Sequence, residues 1–402
     1  MLTKDKIKSI ALEIGFHTCG VTQVKPMPEA EMALREWTEQ GKHGEMKYLE
    51  RYDERKTNFW AQFPEAKSIL VLGVNYYSGD QSKACHSERS EESRPEKFFT
   101  GFGHICAEDF FESSREVLAQ QRPQSSSQNA GRLGNSPAKT FPVGRVARYA
   151  WGRDYHKLIA EKIKLLKEKL KQEASDEIYF ESAVDTKPLL ERTLGQQAGL
   201  GFIGKQTQLL SLQFGPWLFL SELITNLELE PDQPFNGSCG TCRLCIDECP
   251  TEAIEESGEI DARKCIAYLT IEHKTEIPEE YRTKIRNWVF GCDECLNVCP
   301  YTAKQKETTW KELTSENGFG PEMNLLELFQ LKSNRQYENQ FRDSAISRAS
   351  RKQLLRNAAI VLGNTADKSV LPILEGAMAE APLLVRSHIE WAIKEIKSRN
   401  QD

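Results

Sequence analysis

Cys239-Gly-Thr-Cys242-Arg-Leu-Cys245-Ile-Asp-Glu-Cys249-Pro250 sets three cysteines two residues apart and a fourth three residues on, closed by proline. A second run, Cys292-Asp-Glu-Cys295-Leu-Asn-Val-Cys299-Pro300, repeats the later part of that spacing, and Cys265 stands between the two. Bacterial ferredoxins use this spacing to bind cubane clusters: a tight loop presents three thiolates, and the last cysteine of each run serves the other cluster. Eight of the eleven cysteines are accounted for, the number that two [4Fe-4S] clusters need. Structural zinc also takes four cysteines, but it pairs two C-x-x-C knuckles and does not call for triple runs ending in Cys-Pro. Disulfides are disfavoured because the N-terminal MLTKDKIKSIALEIGF lacks the continuous apolar core of a signal peptide. No stretch of about 18 apolar residues is present to span a membrane. The expectation is a soluble, cytoplasmic, monomeric chain.

At 402 residues there is room for two or three domains, and 39% hydrophobic with 28% charged residues is ordinary globular composition. A net charge of −6 argues against a uniformly basic nucleic-acid binder. The charge is uneven, however. Leu331 to Asp402 carries twelve Lys/Arg against eight Asp/Glu, a net of +4 that leaves −10 on the rest. Within it, Arg335, Arg342, Arg348, Arg351, Lys352 and Arg356 face only Glu338 and Asp343. Such a stripe is either a phosphate footprint or a solvated helix face, and charge alone does not separate the two.

Upstream of the cysteines, helical and strand-like segments alternate, which predicts an α+β chain whose first region, 1–230, is an α/β or α+β domain, with α/β preferred. Ile7, Ile10, Ala11 and Ile14 keep a helical period, and Ser68-Ile-Leu-Val-Leu-Gly-Val-Asn-Tyr-Tyr77 reads as a buried strand. A long amphipathic helix is expected from Lys157 to Glu173, with Leu158, Ile159, Ile163, Leu165, Leu166 and Leu170 inward. Ile178–Phe180 and Trp217–Leu220, the latter continuing through Leu223–Thr225, read as strands. Residues 81–140 carry ten serines and the charge-mixed His86-Ser-Glu-Arg-Ser-Glu-Glu-Ser93, too little apolar surface to offset the entropy of ordering. That segment is expected to be a mobile insertion, and Cys85 and Cys106 inside it receive no role. The cysteine loops define a ferredoxin-type module, 231–305. The tail, 335–402, reads as helical; Arg356-Asn-Ala-Ala-Ile-Val-Leu-Gly363 recurs loosely as Arg386-Ser-His-Ile-Glu-Trp-Ala-Ile393, which suggests a HEAT-like repeat.

Two clusters pass electrons but alter no substrate, so the chemistry belongs to the region before them. In Val184-Asp185-Thr186-Lys187-Pro188, Asp185 follows a strand and would act as a general acid if burial raised its pKa. Equally, Asp185 or Thr186 would only cap a helix starting at Pro188. Gly199-Leu-Gly-Phe-Ile-Gly-Lys205 permits close backbone approach and offers Lys205 to an anionic group, but the segment before it reads as helix, which excludes a dinucleotide fold. Asp154-Tyr-His156 opens like the cobalamin-ligand motif Asp-x-His-x-x-Gly, yet position 159 is isoleucine, so His156 is read as a structural hydrogen-bonding residue.

Ala150-Trp-Gly-Arg-Asp-Tyr-His156, Val184-Asp-Thr186, Glu191-Arg192, Ala198–Lys205 and both cysteine runs, taken in this order, resemble the epoxyqueuosine reductases. The likeness covers nearly the whole chain except 81–140. It implies an N-terminal domain that holds cobalamin, two [4Fe-4S] clusters that feed it electrons, and a helical tail that holds tRNA. The implied reaction removes the epoxide oxygen of epoxyqueuosine at the wobble position of the tRNA anticodon stem-loop, with two electrons, two protons and release of water. A flavodoxin or ferredoxin is the implied kind of low-potential donor. The resemblance makes Asp185 the proton donor and places Lys56, Ala147, Arg148 and Lys205, with Asp185, beside cobalamin. Lys56 stands where the family commonly has arginine, and Gln206 where it usually has asparagine. Cys239, Cys242, Cys245 and Cys299 would hold one cluster, and Cys249, Cys265, Cys292 and Cys295 the other. Three other readings use the same features: a reductive dehalogenase, although no twin-arginine signal is seen, a non-catalytic electron carrier, and an RNA-binding repeat protein with structural clusters.

Overall fold

The computed structural model of the chain describes residues 2–50, 63–79, 141–174, 177–185, 187–302 and 305–399. Lys56, the whole of the 81–140 segment and Thr186 lie outside the described residues. The strands are β1 (Thr18–Gln23), β2 (Ser68–Asn75), β3 (Val143–Val146), β4 (Phe180–Ala183), β5 (Phe202–Ile203), β6 (Leu209–Leu210), β7 (Leu218–Thr225), β8 (Trp288–Phe290) and β9 (Glu322–Asn324).

Every position of β2 is buried, as its unbroken apolar run requires of a strand covered on both faces. It sits inside a four-stranded sheet of order β1-β2-β7-β4 in which every pairing is antiparallel. This corrects the α/β expectation for the first region. Alternating helices and strands do not reveal strand direction, and βαβ units would have made these neighbours parallel. Helices Lys4–Ile14 and Tyr155–Glu173 cover one face, burying Ile7, Ile10 and Ala11 with Leu158, Ile159, Ile163, Leu166 and Leu170 against Leu70, Leu72 and Leu223. Leu165, expected inside, is 48% exposed because the helical period carries it off the apolar stripe. The long helix starts at Tyr155, where the Asp154 side chain accepts the His156 backbone N–H at 3.1 Å. On the opposite face, helix Glu191–Gln197 lays Leu194 on Ile69, Val71 and Ile224. Its close approach needs Gly20, since a Cβ there would stand 2.1 Å from the Ala198 carbonyl oxygen.

A second sheet, of order β8-β3-β9, joins distant parts of the chain: β3 runs parallel to β8 and antiparallel to β9. Past β9 come helices Leu325–Gln330, Asn334–Phe341, Arg351–Thr365, Leu371–Met378 and Leu383–Arg399. The tail is helical as expected, and its buried face belongs to the same core as the main sheet. Two residues aligned by the loose repeat are not equivalent, however: Arg356 is wholly buried while Arg386 is exposed. The basic stripe is not one solvated face either. Arg356 donates to the carbonyls of Leu269, His273 and Thr275 at 2.6 to 2.8 Å, Arg351 to that of Leu331, and Arg348 pairs with Glu272 at 2.7 Å. Among the described residues no helix is long and apolar enough to cross a membrane.

Candidate active site and cluster loops

Just beyond β4, Asp185 adopts a φ of 51°, in the left-handed region that aspartate tolerates better than most residues. The Glu191 carboxylate holds this turn by accepting the Asp185 backbone N–H at 3.0 Å. The Asp185 side chain caps no helix. The next one starts at Glu191 with Leu190 in the cap position and no side-chain cap bond. Its Oδ2 instead accepts from the Tyr155 hydroxyl at 3.2 Å and from Arg348 Nη1 at 3.3 Å, and lies 3.6 Å from His156 Nε2.

These partners decide the charge. Burial pushes the Asp185 carboxyl up, but the His156 hydrogen bond and the Arg348 charge, with the Tyr155 hydroxyl, outweigh it and hold the group below its ordinary value. The expectation that burial would raise it is therefore corrected: the arrangement is an ion-paired carboxylate. The proton sits on His156, pushed up to about 9 first by its bond to Asp154 (2.9 Å) and then by Asp185. Two carboxyls behind the turn behave in the opposite way. Burial, then the charge of Asp185, pushes Glu191 up to about 7. Glu222 is wholly buried on β7 with neither carboxyl oxygen hydrogen-bonded, and burial followed by the Glu191 and Asp185 charges drives it well above the usual carboxylate range.

A carboxyl raised in this way favours the folded state while protonated. The stability it allows is present in acid and is lost as pH rises through the folded pKa. Glu222→Gln stays neutral throughout. Its urea midpoint is expected to exceed that of the wild type by a margin that widens from about pH 5 to about pH 8. A margin that stays constant across that range would show that Glu222 titrates like an exposed carboxyl.

Asp185 stands where two cavities meet. One, of about 500 Å³, is lined by Tyr149, Tyr155, His156 and Arg348 together with Ala267, Tyr268 and Ile271. The other, of about 650 Å³, has an apolar wall that includes Leu34, Trp37, Tyr48, Leu189 and Ile203. Met46, Asp185 and Arg348 line both. A broad, partly apolar cleft with several polar groups on its walls, Asp185 and Arg348 shared with the neighbouring cavity, has room for a large cofactor beside a polar substrate.

The eight cysteines sort into two groups by mutual influence. Cys299 feels the charges of Cys239, Cys245 and Cys242, Cys265 that of Cys249, and Cys295 those of Cys292 and Cys265. A weaker influence of Cys245 on Cys295 shows where the groups face each other. Their packing divides likewise: Cys265, Cys292 and Cys295 lie against the main core, whereas Cys239 and Cys299 share a small separate one with Phe202, Leu210, Phe235 and Tyr301. Burial pushes the thiols of Cys239, Cys245, Cys265, Cys292, Cys295 and Cys299 up, Cys299 to about 12, so thiolates here would need a bound cation such as iron. Backbone N–H groups already point at sulfur, from Lys205 to Cys239 at 3.4 Å and from Ala253 to Cys249 at 3.3 Å.

Three residues expected beside a cofactor line neither cavity. Arg148 is buried among the rings of Tyr77, Trp151 and Trp217, and its backbone N–H donates to Asp293 at 2.7 Å. Ala147 packs beneath Gly291, donating to the Phe290 carbonyl. Lys205 reaches the cysteine loop, with Nζ 3.1 Å from the Gly240 carbonyl oxygen and 2.9 Å from that of Cys242. The glycines before it serve close packing: a Cβ on Gly201 would stand 2.2 Å from the Leu210 carbonyl oxygen. Gln206 is buried with its Nε2 unpaired. Conversely, the cavity is lined by Tyr155, to which the sequence reading gave no role, by His156, read there as a structural hydrogen-bonding residue, and by Arg348, counted there in the basic stripe. Only the charge of Arg348 and the opening of the Asp154-Tyr-His156 motif hinted at more.

Residues 238–302 match the profile of a 4Fe-4S double cluster binding domain, and residues 120–186 that of epoxyqueuosine reductase QueG. The epoxyqueuosine reductase of Xanthomonas campestris is 32% identical over 391 residues, 96% of this chain and 94% of that protein. The solved epoxyqueuosine reductase of Streptococcus thermophilus superposes with a TM-score of 0.76 at 26% identity, over 99% of this chain and 91% of that one. An epoxyqueuosine reductase solved with an epoxyqueuosine-modified tRNA-Tyr stem loop gives 0.75 at 28% identity, over 98% and 90%. With its paired four-iron cluster domain and this similarity along almost its full length, the chain belongs to the epoxyqueuosine reductase family of oxidoreductases.

Proposed function

We propose that the joined cavities hold cobalamin and the epoxyqueuosine of a tRNA anticodon stem-loop, and that Asp185 protonates the oxygen released from the epoxide. The observation that carries this is shared lining: Ala267, Tyr268 and Ile271, on the helix that follows Cys265, form one wall with Asp185. The cluster ligands are Cys239, Cys242, Cys245 and Cys299 for one cluster and Cys249, Cys265, Cys292 and Cys295 for the other. Cobalamin, if bound there, would supply the reducing equivalents for opening the epoxide. Of the described residues that the resemblance assigns to it, Asp185 lines both cavities.

The protein's part is the proton. His156 carries one 3.6 Å from Asp185 Oδ2, with Asp154 holding the far side of its ring. Covering the cavity with substrate removes water and strengthens each of these interactions. His156 then passes its proton to Asp185 Oδ2 as the alkoxide develops, and Asp185 hands that proton on to the alkoxide oxygen. Arg348 and Tyr155 keep the carboxyl aimed at the cavity. The division into 1–230, 231–305 and 335–402 serves this scheme, with Arg335, Arg342 and Lys352 exposed on the tail for phosphate contact. A flavodoxin or ferredoxin feeds the clusters, and one chain suffices for turnover.

Anaerobic reconstitution with iron, sulfide and cobalamin, followed by mass spectrometry of nucleosides from epoxyqueuosine-containing tRNA incubated with the enzyme and a strong chemical reductant, tests the proposal. Loss of one oxygen is expected, and only when cobalamin is present. Clusters that form while no cobalamin binds and the nucleoside stays intact would leave an electron carrier instead.

A further inference from the structure

Lys205 is the end of a glycine-rich segment that reads as an anion-binding turn, yet the fold uses it differently. Its backbone N–H points at Cys239 Sγ at 3.4 Å, while its ammonium bridges the carbonyl oxygens of Gly240 and Cys242 at 3.1 and 2.9 Å. The segment is the first strand of the β5–β6 hairpin, whose Phe202 and Leu210 pack with Cys299 and Tyr301 in the small core around the first cysteine group. Residues 236–238, 240–241 and 243 of the cysteine loop are exposed, so the cluster they cover is the one an outside donor meets first. A fixed positive charge beside a cluster favours its reduced, more negative form, and an N–H directed at sulfur acts in the same sense.

We infer that Lys205 is a positioning residue for electron entry: it clamps the Cys239–Cys242 loop and raises the reduction potential of the cluster held by Cys239, Cys242, Cys245 and Cys299. This rests on the ligand sets proposed above. The second cluster, against the main core, has no lysine directed at its loop among the described contacts and is left unchanged.

The test is an anaerobic redox titration of the reconstituted full chain, followed by electron paramagnetic resonance, on the wild type and on Lys205→Met, Lys205→Arg and Cys245→Ala. In Lys205→Met one of two cluster signals is expected to need a more negative potential, with its reduced-to-oxidised ratio at fixed potential falling on the order of tenfold, about 59 mV for one electron. Lys205→Arg keeps the charge and stays near the wild type. The displaced signal is the one that Cys245→Ala abolishes. Two unshifted signals in Lys205→Met at full iron content would overturn the inference, as would a shift confined to the signal that survives in Cys245→Ala. A wild type with only one cluster would remove the ligand sets and the inference with them, a failure visible before any lysine variant is measured.

Discussion

Asp185→Ala is expected to lower epoxide reduction by about 10²–10⁴-fold, the usual contribution of a general acid, while leaving both clusters intact. The surroundings make this a clean variant. Arg348 keeps its 2.7 Å bond to Glu272, and His156 keeps Asp154 at 2.9 Å, so no buried charge is stranded when the carboxyl is removed. Asp185→Asn preserves shape and the Tyr155 contact but has no proton of suitable acidity to give, so it should fall nearly as far. Cluster content by iron analysis and cobalamin binding by absorbance separate loss of chemistry from loss of assembly. Full activity in Asp185→Asn would move the donor role to His156 or Tyr155, which together with Arg348 contact Oδ2.

Arg356→Ala should cost about 3–5 kcal/mol in urea unfolding of the reconstituted chain, a large effect for one side chain. The guanidinium is wholly buried, and it satisfies the carbonyls of Leu269, His273 and Thr275 as well as the Asn357 side chain. Removing it leaves acceptors in a dry interior at about 1–3 kcal/mol each, offset where water enters the space vacated. Lysine brings three donors on a point charge and cannot reproduce the planar fork, so Arg356→Lys is expected to recover only part of the loss. A loss below about 1 kcal/mol would mean that the carbonyls find water readily.

What was legible in the sequence follows from how local each constraint is. A cubane needs three thiolates from one tight loop, so Cys239, Cys242 and Cys245 announce their chemistry through spacing alone. Asp185 was ambiguous because its partners are remote: Tyr155 and His156 come from the start of a helix about 30 residues earlier, and Arg348 lies 163 residues later. No window of sequence contains that constellation. The resemblance selected the residue, but not its ionisation, which depends on those partners. Strand direction in the main sheet was hidden for a related reason, since the apolar run of β2 is the same beside a parallel or an antiparallel neighbour. Arg356 misled through composition: a basic stripe counts charges, and only packing reveals that some of them point inward.

The small sheet has a consequence for electron traffic. β3 hydrogen-bonds to β8, which ends two residues before Cys292, and β3 itself ends two residues before Arg148, in the wall of the main core. On the scheme proposed above, the cluster held by Cys292 and Cys295 would be fastened to the reaction chamber by a strand ladder instead of hanging from a linker. Carriers that swing between partners trade tunnelling distance for reach, whereas a ladder of this kind sets that distance when the chain folds.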